Sequence, residues 1–212
     1  MKKRCFTLVE LHVTIVILAL LAALFWSSTD ALRQRSKQAA CVDNLRPLYR
    51  SWLSYAADND GSPPPLQVKI NNTGRSYQDN AYWGSIIEAY LPESKNVKPY
   101  MPMTLLSHIP ILYCPEAPRS KALSSYGVHY GMNYRIFQGP KKNNVKVNDL
   151  VKSPKTAIFA DSSSFVVGPS WGFQHVRFRH LEGLNLIFGD GHVEWLAQTE
   201  VTDKNQFPWR FE

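Results

Sequence analysis

Residues 6–26 read FTLVELHVTIVILALLAALFW, apolar almost throughout, free of Lys and Arg, with one carboxylate, Glu10, near the start. As a helix these 21 residues rise roughly 31 Å, close to the hydrocarbon thickness of a bilayer. An ionised carboxylate in that setting costs roughly 2.5–3.5 kcal/mol and marks function unless it has a partner. The run holds no cation to pair with Glu10. A cation one turn earlier would be the α-amino group of Phe6, which exists only if the chain is cut after Cys5.

Working outward, helical spacing continues past the run. Leu45, Leu48, Trp52, Tyr55 and Ala56 fall on one face, so this stretch is amphipathic and should pack on a core. Pro47 lies within it and predicts a kink or short break. Residues 58–65, DNDGSPPP, are a stop: Gly closes a helix and three prolines cannot continue it. Beyond them the chain is loop-rich. Residues 83–91 fit a short helix and 113–115 an extended segment. Residues 125–134 fit a strand with a turn, and 156–160 a buried strand. Residues 184–188 and 192–196 flank Gly189-Asp190-Gly191, a hairpin signal in which Asp-Gly supplies positive φ. The expected fold is α+β: one long N-terminal helix whose second half packs on a small, mostly antiparallel sheet. The roughly 150 residues past the helix suffice for one core.

The two ends of the chain carry a resemblance. The leader MKKRC followed by Phe6-Thr7-Leu8-Val9-Glu10-Leu11 and an unbroken apolar run resembles the class III signal of type IV prepilins and type II secretion pseudopilins. His180, nine residues, then Asp190-Gly191 resembles the His-x9-Asp-Gly tail of a prepilin-like subfamily. Cys41-Val42-Asp43-Asn44-Leu45-Arg46, residues 55–61, Tyr113-Cys114-Pro115 and Ala160-Asp161-Ser162 are similar to that subfamily's other pieces, in order. The family has Gly before the cut, where this chain has Cys5.

The resemblance implies a pilin-like ladle divided into a leader (1–5), a transmembrane or fibre-core helix (6–26), an amphipathic continuation (27–61) and an extracytoplasmic globular domain (62–212). It implies a non-enzymatic subunit without cofactor, cut before Phe6 and N-methylated there by a prepilin peptidase. Such a subunit sits as a single pass in the bacterial inner membrane, N-terminus cytoplasmic. It assembles with other pilin-like subunits on a pilus or secretion platform, into a type IV pilus or type II secretion filament, with Glu10 pairing to an N-terminal amine. The alternative is a membrane-anchored extracytoplasmic binding protein that never polymerises. A secretory signal fits less well: its apolar region would be shorter, about 7–15 residues, and Phe25-Trp26-Ser27-Ser28 offers no cleavage site.

Charge and cysteine usage add limits. The net charge of +7 falls to +4 once Lys2, Lys3 and Arg4 leave, too diffuse for a nucleic-acid footprint. Cys5 leaves with the leader. Cys41 and Cys114 can then pair in an oxidising compartment, tying helix to globular part, or stay as buried thiols.

For the tail, one reading is a His180–Asp190 hydrogen bond that fixes the loop and raises the imidazole's basicity. The other is a divalent site drawn from His180, Asp190 and His192, with His175, Asp161 and Glu194 nearby in sequence. No preformed ligand spacing supports the latter. Nucleophile elbows and phosphate-binding glycine loops are absent from the sequence. The aromatics Trp52, Trp83, Trp171, Trp195 and Trp209 read as core or as a carbohydrate surface.

Overall fold

The computed structural model describes residues 7–70, 80–92, 109–117, 128–137, 145–169, 171–201 and 208, with only the backbone given at 24–28, 80, 137, 171 and 172. The fold is α+β: an N-terminal helix packed against a largely antiparallel sheet.

Helix α1 spans Leu8–Asp58 and opens on a capping box. Glu10 N–H donates to Thr7 Oγ1, while the Thr7 backbone N–H and hydroxyl donate to Glu10 Oε2, both at 2.8 Å. Two otherwise unpaired donors at the helix start are satisfied reciprocally. Glu10 therefore has a local partner in Thr7.

From Leu8 to Leu21, ten large apolar side chains are 50–74% exposed. They are spread round the whole circumference and leave the helix no polar face. Among the described residues, no helix is long and apolar enough to cross a membrane; the described side chains of the apolar run end at Ala23. Burial begins at Cys41. From there Leu45, Leu48, Tyr49, Trp52 and Ala56 line the core face.

The helix continues through Pro47 without a break, contrary to the kink or break expected there. A proline removes one intrahelical bond and costs ~3 kcal/mol. Burial of Leu45, Leu48 and Trp52 on both sides offsets that loss, and Ser51 Oγ lies 2.9 Å from both Pro47 O and Tyr90 O, which share its one proton. The stop falls where the sequence places it. Asn59 caps the helix, and Asp60 and Gly61 take φ of 53° and 72°. Gly61 N–H returns to Ala56 O at 2.7 Å, satisfying a terminal carbonyl.

Strands β1 (Gln67–Lys69) and β2 (Asn80–Tyr82) form a two-stranded antiparallel ribbon. It leads into α2 (Trp83–Ile86) and a 3₁₀ turn, Glu88–Tyr90, which together replace the single short helix expected over 83–91. A second sheet contains β3 (Tyr130–Asn133), β4 (Ala157–Asp161), β5 (Val166–Val167), β6 (Gly183–Phe188) and β7 (Val193–Ala197), in the order β5-β3-β4-β6-β7. Its pairs are antiparallel except β3 with β5. Of the strand expected at 125–134, residues 125–127 lie outside the described residues. A short helix α3, Val147–Val151, precedes β4.

One face of the sheet packs Met132, Phe159 and Ile187 on α1. The other carries Ala160, Leu184, Leu186 and Phe188 under Phe173, Val176, Phe178 and Val201. Period-2 alternation along β6 thus sends Asn185 and Ile187 toward the helix and the leucines away from it.

Two tight turns bracket β6. At its end, Phe188 N–H bonds His192 O and Gly191 N–H bonds Phe188 O, closing a three-residue loop over 189–191. Only Gly191 has positive φ, at 86°, so Asp190 does not share that role as the two-residue reading required. At its start, His180 and Gly183 exchange both backbone hydrogen bonds around Leu181 and Glu182. Those two residues take φ of 51° and 60°, the left-handed pair that such a turn demands and that side-chain-bearing residues resist. Gly183 has to be glycine because the Trp195 indole lies 2.3 Å from where a Cβ would stand.

Replacing Leu181→Asn together with Glu182→Gly keeps this turn and removes its strain. The double variant should be more stable than wild type by ~1–2 kcal/mol, read from urea unfolding. An unchanged or lower midpoint would mean that the turn carries no strain.

Candidate functional site

Four ionisable side chains converge in the helix–sheet interface. Cys41 comes from α1, at its first buried position. Cys114 follows the 3₁₀ turn Pro110–Leu112, Asp161 ends β4, and His180 enters the turn before β6. One donor atom from each lies within 4.8 Å of all the others. Cys41 Sγ donates to Asp161 Oδ1 at 3.1 Å. Cys114 Sγ and His180 Nε2 are 3.2 Å apart. His180 Nε2 and Asp161 Oδ2 are 3.5 Å apart, with both side chains fully buried.

A ring of neutral groups holds this centre. The Asn185 backbone N–H donates to Asp161 Oδ2 at 2.7 Å and its side-chain amide at 3.3 Å. Tyr130 OH lies 3.1 Å from Cys41 Sγ and takes a bond from Asn44 Nδ2 at 3.2 Å. Trp195 Nε1 donates to the His180 carbonyl at 2.6 Å. Arg179 sits just outside, donating to the carbonyls of His129 and Ser162. His180 Nδ1 and Asn185 Oδ1 are buried with no hydrogen-bond partner.

Burial dictates how these groups share protons. It pushes the Asp161 carboxyl up to about 6, with the His180 charge opposing. Cys41 is raised far above an ordinary thiol, first by burial and then by its bond to Cys114. The same bond, helped by His180, lowers Cys114 against the effect of its own burial. For His180, burial acts to lower the value, and the Cys114 bond with the Asp161 charge outweighs it. Geometry sets Cys114 against the His180 ring and Cys41 against Asp161. Two thiols, an imidazole and a carboxylate at these separations are also a tetrahedral donor set.

The expected site residues are therefore regrouped. Cys41 and Cys114 are neighbours but remain free thiols, not a disulfide. His180 meets Asp161 and Cys114, not Asp190. His180, Asp190 and His192 do not form a site together: Asp190 Oδ1 instead accepts from the His192 backbone N–H at 3.1 Å and contacts its ring Nδ1 at the surface. Gly191 gives the loop its positive φ and lies beneath the Tyr49 ring of α1, whose hydroxyl donates to Gly189 O at 2.5 Å. His175 touches Gln174 and takes no part in the centre.

The His-x9-Asp spacing thus has a mechanical origin. The nine residues are a two-residue turn, the six residues of β6 and one loop residue. Its ends do unrelated work: His180 enters the buried centre, and Asp190 pins a surface loop. Cys5 and Phe6 lie outside the described residues. Asp161 entered the sequence reading only as one oxygen donor among several. The signal was present, because each of Cys41, Cys114, Asp161 and His180 sits in a separate piece that carried the resemblance. No family model, curated protein or solved structure matches the chain.

The Asp190 contact predicts a pH effect. Burial slightly disfavours the carboxylate, but the hydrogen bonds from His192 win and hold Asp190 below the usual range. A depressed carboxylate stabilises above its unfolded value, near pH 4, and that contribution disappears as the pH falls through the folded value. Asp190→Ala should be destabilising at pH 7, by less than ~1 kcal/mol for so exposed a pair, and less so at pH 3. Urea unfolding at both pH values checks it; an equal loss at both would assign the effect to packing.

Proposed function

We propose that the chain is a non-enzymatic pilin-like subunit. It is held in the inner membrane by its N-terminal helix, cut before Phe6 and N-methylated by a prepilin peptidase. It then assembles through that helix into a type IV pilus or type II secretion filament. The observation that carries this reading is the apolar surface of α1 from Leu8 to Leu21, exposed on every side while the same helix is anchored in a core from Cys41 onward. A helix apolar all round requires lipid or other helices about it. In sequence the apolar residues continue through Leu24, Phe25 and Trp26. The sheet domain at the far end of α1 agrees with a pilin-like ladle, and the leader and tail motifs point the same way.

Glu10 supplies register in this scheme. Within an apolar bundle its charge is costly, and a neighbour's Phe6 amine offsets that cost. The capping box gives the same side chain a second, uncharged role, and one substitution separates the two. Glu10→Gln retains a capping box, which accepts Gln as well as Glu, but removes the charge. Both Glu10→Gln and Glu10→Leu should abolish filament assembly, while only Glu10→Leu frays the first helical turn. N-terminal sequencing of the mature protein should read N-methyl-Phe6. An intact Met1, with assembly unaffected by Glu10→Gln, would replace this reading with a static membrane-anchored binding protein.

A further inference from the structure

We propose that Cys41, Cys114, Asp161 and His180 bind one zinc ion as a closed structural site that fastens α1 to the sheet. The inference is independent of what the N-terminal helix does.

Geometry comes first. Zinc bonds of about 2.0–2.3 Å to S, N and O, arranged tetrahedrally, put neighbouring donors about 3.3–3.8 Å apart. Cys41 Sγ to Asp161 Oδ1 and Cys114 Sγ to His180 Nε2 are 3.1 and 3.2 Å, and one donor atom from each residue lies within 4.8 Å of all the others. An ion at their centre needs donor separations to change by no more than about an ångström. Two thiolates and an imidazole select zinc over calcium or magnesium, which take oxygen ligands. Four protein donors and full burial leave no open position, which is the pattern of a structural and not a catalytic site.

Hydrogen-bond satisfaction distinguishes zinc from the competing disulfide. Oxidation of Cys41 and Cys114 would remove the thiol proton that Asp161 Oδ1 accepts and the acceptor that faces His180 Nε2. Asp161 Oδ1 would lose its thiol partner, at a cost of ~1–3 kcal/mol, and His180 Nε2 would keep only its 3.5 Å contact with Asp161 Oδ2. Zinc engages all four groups at once, releasing the thiol protons and any proton on Nε2 to solvent. The outer contacts also suit a metal: Asn185 holds the second carboxylate oxygen, Tyr130 OH bonds Cys41 Sγ, and the Arg179 charge offsets the single negative charge left on the complex.

The full chain, purified in detergent without chelators from zinc-supplemented cells, tests this directly. Elemental analysis should give one zinc per chain, and the thiols should react with a disulfide reagent only after chelation. Cobalt(II) titrated into reduced, metal-stripped protein should develop thiolate-to-metal absorption and the intense visible bands of tetrahedral cobalt. Cys114→Ser and Asp161→Asn should each weaken zinc binding by more than the roughly 10–100-fold of outer-shell changes. Asp161→Asn preserves shape and guards against loss of fold as the explanation. Metal-free protein whose cobalt titration lacks those bands, or a mass spectrum showing Cys41 linked to Cys114 without zinc, overturns the proposal.

Discussion

A carboxylate sealed from water sets the terms for the structure around it. Asp161 is fully buried between helix and sheet, where an uncompensated charge is not tolerated. Compensation comes from four directions: the Asn185 amide groups, the Cys41 thiol, the His180 ring and, farther out, Arg179. The suppliers lie on α1, on β6 and on the segment that leads into β6, so all three must arrive in register for the carboxylate to be satisfied. Slipping β6 by one residue would swing Asn185 to the opposite face and put a leucine against Asp161. Apolar packing makes the interface favourable; the polar centre selects one alignment of it.

That centre also explains the division of α1. Up to residue 40 the helix meets little of its own domain, and Lys37–Glu116, at 3.0 Å, is a half-exposed pair of little energetic weight. At Cys41 the surroundings change from exterior to core within one turn. Leu45, Leu48 and Trp52 then bury on the sheet, while Tyr49 reaches the loop after β6 through Gly189. Any load carried by the exposed helix enters the domain at Cys41. Placing one thiol of the centre there ties the load to β4 directly, across 120 residues of sequence.

What could be read in advance follows from the range of each interaction. The end of α1 at Asp58, the buried strand β4 and the β6–β7 hairpin are local: helical or alternating periodicity and the Asp-Gly-Ser-Pro and Gly-Asp-Gly spellings announce them. The turn at Leu181-Glu182 was hidden because neither residue favours positive φ; the two bonds between His180 and Gly183 impose it. Pro47 misled for the opposite reason, since packing on either side outweighs a local preference. Thr7-Leu8-Val9-Glu10 spells a capping box, but the same carboxylate also invites a bilayer reading, and local spelling cannot rank the two. The centre was least legible. Its members are spread from residue 41 to residue 180, and no spacing rule joins them.

The histidine of the tail motif connects these levels. Its ring faces Cys114 and Asp161 while its backbone closes the turn that starts β6 and its carbonyl accepts from Trp195 on β7. A change at the centre that moves the ring must therefore move the turn, and the turn fixes where β6 begins. Because β6 carries both Asn185 and, at its other end, the loop under Tyr49, such a shift reaches α1 at two points. A metal ion would hold the ring through Nε2 and leave the backbone free to keep the turn. A disulfide would join the cysteines and leave the ring held by Asp161 alone. The bonding chosen by Cys41 and Cys114 thus governs how firmly the whole β6 segment, and with it the C-terminal hairpin, is seated on the helix.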